Sequence, residues 1–141
     1  MYHSTNRRAL PSSARCTSAV VLLVASSHDE GDRLATRLAN AVLHAPHILP
    51  VEVDSALRGL VAGRVLTEAE AAAARQQAGR MPIDLWAWES LGERAWEMGS
   101  NLSTYDAGYV ALAEHIGATL VTADARLARA PGVRCAIEVF G

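Results

Sequence analysis

The chain has 141 residues, of which half are hydrophobic and 5% aromatic, so it can form one domain with a core made mostly of Ala, Val and Leu. Its 13 basic residues are all arginine, and its 15 acidic residues bring the net charge to −2. The lack of lysine excludes a P-loop and a Schiff-base mechanism, and the near balance of charge excludes a broad basic field for holding a long nucleic acid.

The N-terminal region divides into a polar stretch and an apolar run. Residues 1–15 contain a proline and several serines and show no periodicity, so we predict a poorly ordered tail. Residues 19–25 are apolar and fit either a strand or a short buried helix, and the run is far shorter than the ~20 residues of a membrane span. Cys16 and Cys135 lack metal or redox spacing and are interpreted as small buried hydrophobes, which favours a cytoplasmic chain without a disulfide.

Apolar periodicity and turn signals divide the rest of the chain into helices and strands. The predicted helices cover residues 33–42, 49–60, 67–80, 89–98, 103–116 and 125–129, with a break over residues 45–50, and the predicted strands cover residues 81–86, 118–122 and 133–140. Thr67 and Glu70 have the spacing of a capping box, and Gly117 is a favourable residue just after a helix. Because strands alternate with helices, we expect an α/β domain with a mostly parallel sheet covered on both faces.

Three acidic residues have positions that suit a functional site. Asp106 is the third residue of a helix with Ser103 as its N-cap, Asp124 follows a predicted strand, and Glu52 lies at the margin of an apolar helical stripe. Each also has a structural interpretation: stabilisation of a helix start for Asp106, capping of the next turn for Asp124, and pairing with an arginine for Glu52. If the three carboxylates converge at one edge of the sheet, they fit a hard divalent cation.

Other polar and aromatic residues give weaker signals. Thr122 and Ser18 have hydroxyls that can support the acids, although a buried hydroxyl more often bonds to the backbone. Trp86, Trp88 and Trp96 are interpreted as packing residues rather than as a platform for stacking bases.

Three segments in order resemble PIN domains, and more narrowly the VapC toxins of bacterial toxin–antitoxin pairs. The segments are residues 45–58 around Glu52, residues 102–113 around Asp106, and residues 120–127 around Asp124. The resemblance implies a three-layer PIN-like domain over residues 16–141 and Mg²⁺- or Mn²⁺-dependent cleavage of RNA. It also implies a cognate VapB-like antitoxin and a homodimer, with no membrane partner. On this resemblance Glu52, Asp106 and Asp124 are the catalytic and metal-binding acids, and Thr122 is a supporting residue.

The N-terminal end departs from the family pattern. Cys16 stands where the family has an Asp at the end of a short apolar strand, and Pro11 with two serines makes residues 10–15 a poor central strand. We therefore expect the first strand to be missing or replaced, and activity to be weakened because a thiol suits Mg²⁺ poorly.

Three interpretations of function remain open. One is an endoribonuclease toxin, active or weakened. A second is a catalytically impaired PIN domain that only binds an antitoxin, a partner subunit or RNA. The third, an unrelated nucleotide-binding α/β domain, is disfavoured because the chain has no glycine-rich phosphate loop.

Overall fold

The computed structural model describes residues 12–15, 24–25 and 29–140, with only the backbone described for residues 12–15. Within these residues five strands form one sheet in the order β3-β2-β1-β4-β5, and every neighbouring pair is parallel. The strands are β1 (Ser12–Arg15), β2 (Val42–Pro46), β3 (Ile83–Trp86), β4 (Thr119–Thr122) and β5 (Ile137–Val139). The expected parallel sheet is confirmed.

Helices connect the strands and cover both faces of the sheet. The described α-helices are α1 (Asp29–Leu38), α2 (Leu49–Ala62), α3 (Glu68–Arg80), α4 (Gly92–Glu97) and α5 (Thr104–Ile116), and 3₁₀ turns lie at Trp88–Ser90 and Leu127–Arg129. Successive residues of β4 enter different cores, since Leu120 joins the large core with α5, whereas Val121 packs with Leu34 and Leu38 of α1. The predicted three-layer α/β architecture follows from this division.

Local signals in the sequence fix several helix ends. The Thr67 hydroxyl accepts a hydrogen bond from the Glu70 backbone at 3.2 Å, and the Glu70 carboxylate accepts one from the Thr67 backbone at 2.7 Å, so the capping box is confirmed. Helix α5 ends at Gly117, which has a φ of 64°, a left-handed conformation that glycine adopts without steric cost.

The strand β1 corrects the expectation that the first strand is missing. Residues Ser12–Arg15 lie between β2 and β4 and pair in parallel with both. The pairing uses backbone groups and is fixed by a partner on each side, so polar side chains do not prevent it. The predicted tail therefore does not extend over these four residues, while residues 1–11 lie outside the described part.

The strand β2 was not predicted. The predicted helix over residues 33–42 and the predicted break over residues 45–50 each overlap one end of Val42–Pro46, yet this segment pairs with β1 and β3. Five residues with one proline give too short a pattern to separate a buried strand from a helix end. None of the helices in the described part of the chain combines the length and apolar character that crossing a membrane requires.

Candidate active site

The candidate site lies at the carboxyl edge of the sheet, where three adjacent strands end. Strand β2 leads into α2, whose first turn contains Glu52, and β4 ends two residues before Asp124. Strand β1 lies between these two strands, and the residue that follows it in the sequence is Cys16, whose placement is outside the described residues. Ligands of open parallel sheets bind at this edge.

Glu52 is half-buried and is held by a residue of α5. Its Oε2 accepts a hydrogen bond from the hydroxyl of Tyr109 at 2.7 Å, and Tyr109 is only 1% exposed. A buried tyrosine that donates to a carboxylate restricts the rotamers of both side chains. Tyr109 is not among the predicted site residues, although its spacing of three from Asp106 on one helix is a signal for a shared face.

Asp106 occupies the expected position in the first turn of α5. Its backbone N–H donates to the Ser103 hydroxyl at 3.1 Å, which confirms Ser103 as the N-cap. The cap uses the backbone of Asp106 and not its carboxylate, so the capping interpretation does not by itself account for the acidic side chain. Asp106 is half-buried and lies at the helix end where the dipole favours a negative charge.

Asp124 is held from two sides after β4. Its backbone N–H donates to the Thr122 hydroxyl at 3.0 Å, and its Oδ1 accepts from the backbone N–H of Arg126 at 2.9 Å. The Arg126 guanidinium also donates to the carboxylate, through Nη2 to Oδ2 at 2.7 Å. Hydrogen bonds from the Arg126 side chain and then its backbone lower the pKa of Asp124 below its ordinary value. Asp124 thus bonds to the backbone of the turn before Leu127–Arg129, but the N-cap of that 3₁₀ turn is Arg126, which has no side-chain cap bond. The lowered pKa leaves the Asp124 carboxylate ionised near neutral pH.

Of the two predicted supporting residues, Thr122 and Ser18, the structure describes only Thr122. Thr122 is fully buried, and its hydroxyl fixes the backbone at Asp124, which is the usual role of a buried hydroxyl. Ser18 lies outside the described residues.

Interactions link Asp106 with Asp124 through Arg126 and link Glu52 with α5 through Tyr109. Hydrogen bonding to Asp124 raises the pKa of Arg126, and the negative charge of Asp106 contributes to the same shift, so both acids act on one guanidinium. Glu52 is linked to α5 through Tyr109. Across the residues that the structure describes, however, no group of three or more His, Cys, Asp or Glu side chains is placed to hold a metal ion. The donors have the oxygen chemistry that a hard divalent cation requires, while their arrangement is open.

A parallel sheet between two helical layers, with acids at its carboxyl edge, defines a PIN-like α/β domain. Residues 17–133 match the family described as PIN domain, and the chain belongs to that family.

Relatives and solved structures agree with this assignment. The chain is 42% identical to VapC ribonuclease Mb0985 of Mycobacterium bovis over 97 residues, which are 69% of this chain and 76% of that protein. It is 33% identical to ribonuclease VapC12 of Mycobacterium tuberculosis over 109 residues, which are 77% of this chain and 84% of that protein. The crystal structure of VapBC2 from Rickettsia felis bound to a DNA fragment from their promoter is similar with a TM-score of 0.65, covering 92% of this chain and 99% of that chain at 16% identity. At that identity the structural similarity supports the fold alone.

Proposed function

We propose that this chain is a VapC-type endoribonuclease toxin that cleaves RNA with Mg²⁺ or Mn²⁺ and is inhibited by a VapB-like antitoxin. The observation that carries the proposal is the position of Glu52, Asp106 and Asp124 on three elements at one edge of the sheet. Membership of the PIN domain family and the relatives named VapC ribonucleases support the same activity. A homodimer in the cytoplasm is part of this proposal.

Each acidic residue has a defined part in the proposed site. In the proposed site the carboxylates of Glu52, Asp106 and Asp124 would be the ligands of the cation, Tyr109 orients Glu52, and Thr122 orients the backbone at Asp124. The cation supplies Lewis-acid stabilisation of the phosphate and a more acidic bound water. Arg126 is 86% exposed, so its guanidinium can leave Asp124 for a phosphate oxygen of the RNA without loss of buried contacts.

A second candidate function is a PIN domain that binds a partner but cleaves weakly or not at all. Two observations favour it: the residue that follows the central strand β1 is a cysteine, and the described acids do not form a three-ligand group. A thiol gives a site less negative charge than a carboxylate at neutral pH and is a soft ligand, so Mg²⁺ affinity is expected to be low.

The substitution Cys16→Asp separates the two functions. If the chain is a weakened nuclease, the variant cleaves a single-stranded RNA on the order of a hundredfold faster with Mg²⁺, and a chelator abolishes the gain. The matched control is Cys135→Ser, which changes the other cysteine, placed shortly before β5, and leaves cleavage unchanged. If the protein and its Cys16→Asp variant are equally inert with excess Mg²⁺ or Mn²⁺, the nuclease proposal is wrong and the binding function stands.

A further inference from the structure

A cleft of about 540 Å³ is formed by residues close in sequence to Glu52 and Asp106. It is bounded by the end of β2, the 3₁₀ turn after β3 and the first turn of α5. The described residues that line it are Pro46, His47, Ile48, Trp88, Thr104 and Tyr105. Its size is that of a small-molecule site, and its position continues the edge at which the candidate acids lie.

We propose that this cleft binds one unpaired base of a single-stranded RNA, next to the phosphate that Arg126 and the proposed cation would meet. The proposal rests on the proposed ribonuclease function and names how its substrate is recognised. Proteins that bind single-stranded RNA commonly stack its unpaired bases on aromatic side chains.

The indole of Trp88 is a fixed surface rather than a mobile side chain. A Cβ placed on Gly108 would lie 2.8 Å from Trp88 Cζ3, and a Cβ on Gly92 would lie 2.8 Å from its Nε1. Only glycine at these two positions lets α4 and α5 approach the ring so closely. Trp88 nevertheless remains 42% exposed, so the residue both packs, as predicted, and keeps an open surface at the cleft.

Tyr105 connects the cleft to the candidate active site. It precedes Asp106 in the first turn of α5 and is 57% exposed. Its ring therefore offers an exposed aromatic face at the cleft. On the other wall, His47 and Ile48 immediately precede α2, whose first turn contains Glu52. The cleft is therefore lined by near neighbours in sequence of Glu52 and of Asp106.

The charges at the cleft suit an RNA base better than a cationic ligand. Among the described residues none that lines the cleft is acidic, so these residues do not repel the phosphates that flank the base. Because the chain has a net charge of −2 and no lysine, long-range attraction contributes little to RNA binding. Stacking supplies local affinity that does not depend on such a field.

The test compares Tyr105→Ala with Tyr105→Phe in the full chain. The probe is a fluorescent decamer of adenosines, and its Kd is measured in a chelator so that no cleavage occurs. We expect Tyr105→Ala to weaken binding on the order of tenfold, whereas Tyr105→Phe stays within about twofold because it keeps the aromatic face. The matched control is Trp96→Ala, since Trp96 is 87% exposed on α4 and does not line the cleft.

A second arm tests the base directly. We measure the binding of decamers with one abasic residue at successive positions to the unsubstituted chain and to Tyr105→Ala. If one abasic position weakens binding to the unsubstituted chain but not to Tyr105→Ala, the missing base is the one that contacts Tyr105. If no position shows this pattern, or if Tyr105→Ala binds the decamer as the unsubstituted chain does, the proposal is overturned. The cleavage assay with Cys16→Asp tests the nuclease function separately. If the chain cleaves RNA but its RNA binding does not depend on Tyr105, only the proposal of a base in the cleft is wrong.

Discussion

The carboxylates of Glu114 and Asp124 each accept hydrogen bonds from an arginine, but the two pairs are built differently. Glu114 is 12% exposed and accepts from Arg94 Nε at 2.7 Å and from the backbone N–H of Arg134 at 2.8 Å. Arg94 also donates to the Gly132 carbonyl oxygen at 2.8 Å. Asp124 is 25% exposed, and its partner Arg126 is 86% exposed and only two residues away.

The difference separates a structural pair from a replaceable one. The Arg94–Glu114 pair joins α4, α5 and the segment before β5, so its loss leaves a largely buried charge without its charged partner. The Asp124–Arg126 pair joins two residues of one loop, and exposed pairs of this kind contribute little to stability. A carboxylate in such a pair can exchange its arginine for a metal ion at small cost to the fold.

The largest expected effect is on activity and comes from the replaceable pair. In the Cys16→Asp background, Asp124→Asn removes a ligand charge and is expected to lower Mg²⁺-dependent RNA cleavage on the order of a hundredfold. Its free energy of unfolding should change by no more than about 0.5 kcal/mol, because an exposed pair is lost. Steady-state cleavage and urea unfolding measure the two effects. A variant that unfolds easily but cleaves normally when folded would reverse the assignment of the two pairs.

The next effect is on stability and comes from the structural pair. Glu114→Gln removes the negative charge that pairs with Arg94. We expect a loss of about 2 kcal/mol in the free energy of unfolding. Cleavage per folded molecule in the Cys16→Asp background should stay unchanged, since Glu114 lies near the C-terminal end of α5 and the candidate acid Asp106 lies in its first turn. An equally stable variant with reduced cleavage would contradict the structural role.

The pH dependence of unfolding gives a second measurement on Glu114. Burial raises the pKa of its carboxyl, but the hydrogen bonds and charges of Arg94 and Arg134 outweigh burial, so the pKa in the folded state lies below the ordinary value of 4.5. The unfolded chain then binds this proton more readily, and the stabilisation is complete above pH 4.5 and is lost as the pH falls through the lower folded pKa. Glu114→Gln should therefore show a smaller loss of stability in acid than the unsubstituted chain.

The sequence predicts those parts of the fold that rest on local chemistry. The capping box at Thr67, the N-cap at Ser103 and the left-handed Gly117 each depend on neighbours within a few residues, and all three are confirmed. Strands β1 and β2 depend instead on pairing with distant segments. A polar run such as Ser12–Arg15 carries no signal of its partners, so neither strand could be assigned from its own residues.

The candidate site likewise combines positions that the sequence predicts with contacts that it does not predict. The positions of Glu52, Asp106 and Asp124 at element ends could be predicted from spacing, and their metal-binding role stays a prediction. Their contacts could not be predicted, because the bond between Tyr109 and Glu52 spans 57 residues and Arg94 reaches Glu114 across 20. Such contacts arise from the tertiary packing of α2, α4 and α5, which a single sequence does not encode in any short pattern.

The smallest expected effect concerns Arg126 itself. Arg126→Ala removes the guanidinium that competes for Asp124, and we expect Mg²⁺ to bind the Cys16→Asp protein about threefold more tightly. The substitution also raises the pKa of Asp124 toward its ordinary value of 3.8, which leaves the carboxylate ionised at pH 7. The gain in affinity therefore reports loss of a competitor and not a change in charge at Asp124.

Arg75→Ala is the matched control for Arg126→Ala. Arg75 is also exposed and donates to a carboxylate, that of Asp54, at 2.8 Å, but this pair lies between α2 and α3 and contains none of the candidate acids. Titration calorimetry with Mg²⁺ compares the two variants. If both change the affinity equally, the effect is one of net charge. If Arg126→Ala weakens Mg²⁺ binding, Arg126 positions Asp124 for the metal, and the contrast between a structural pair and a replaceable pair no longer holds.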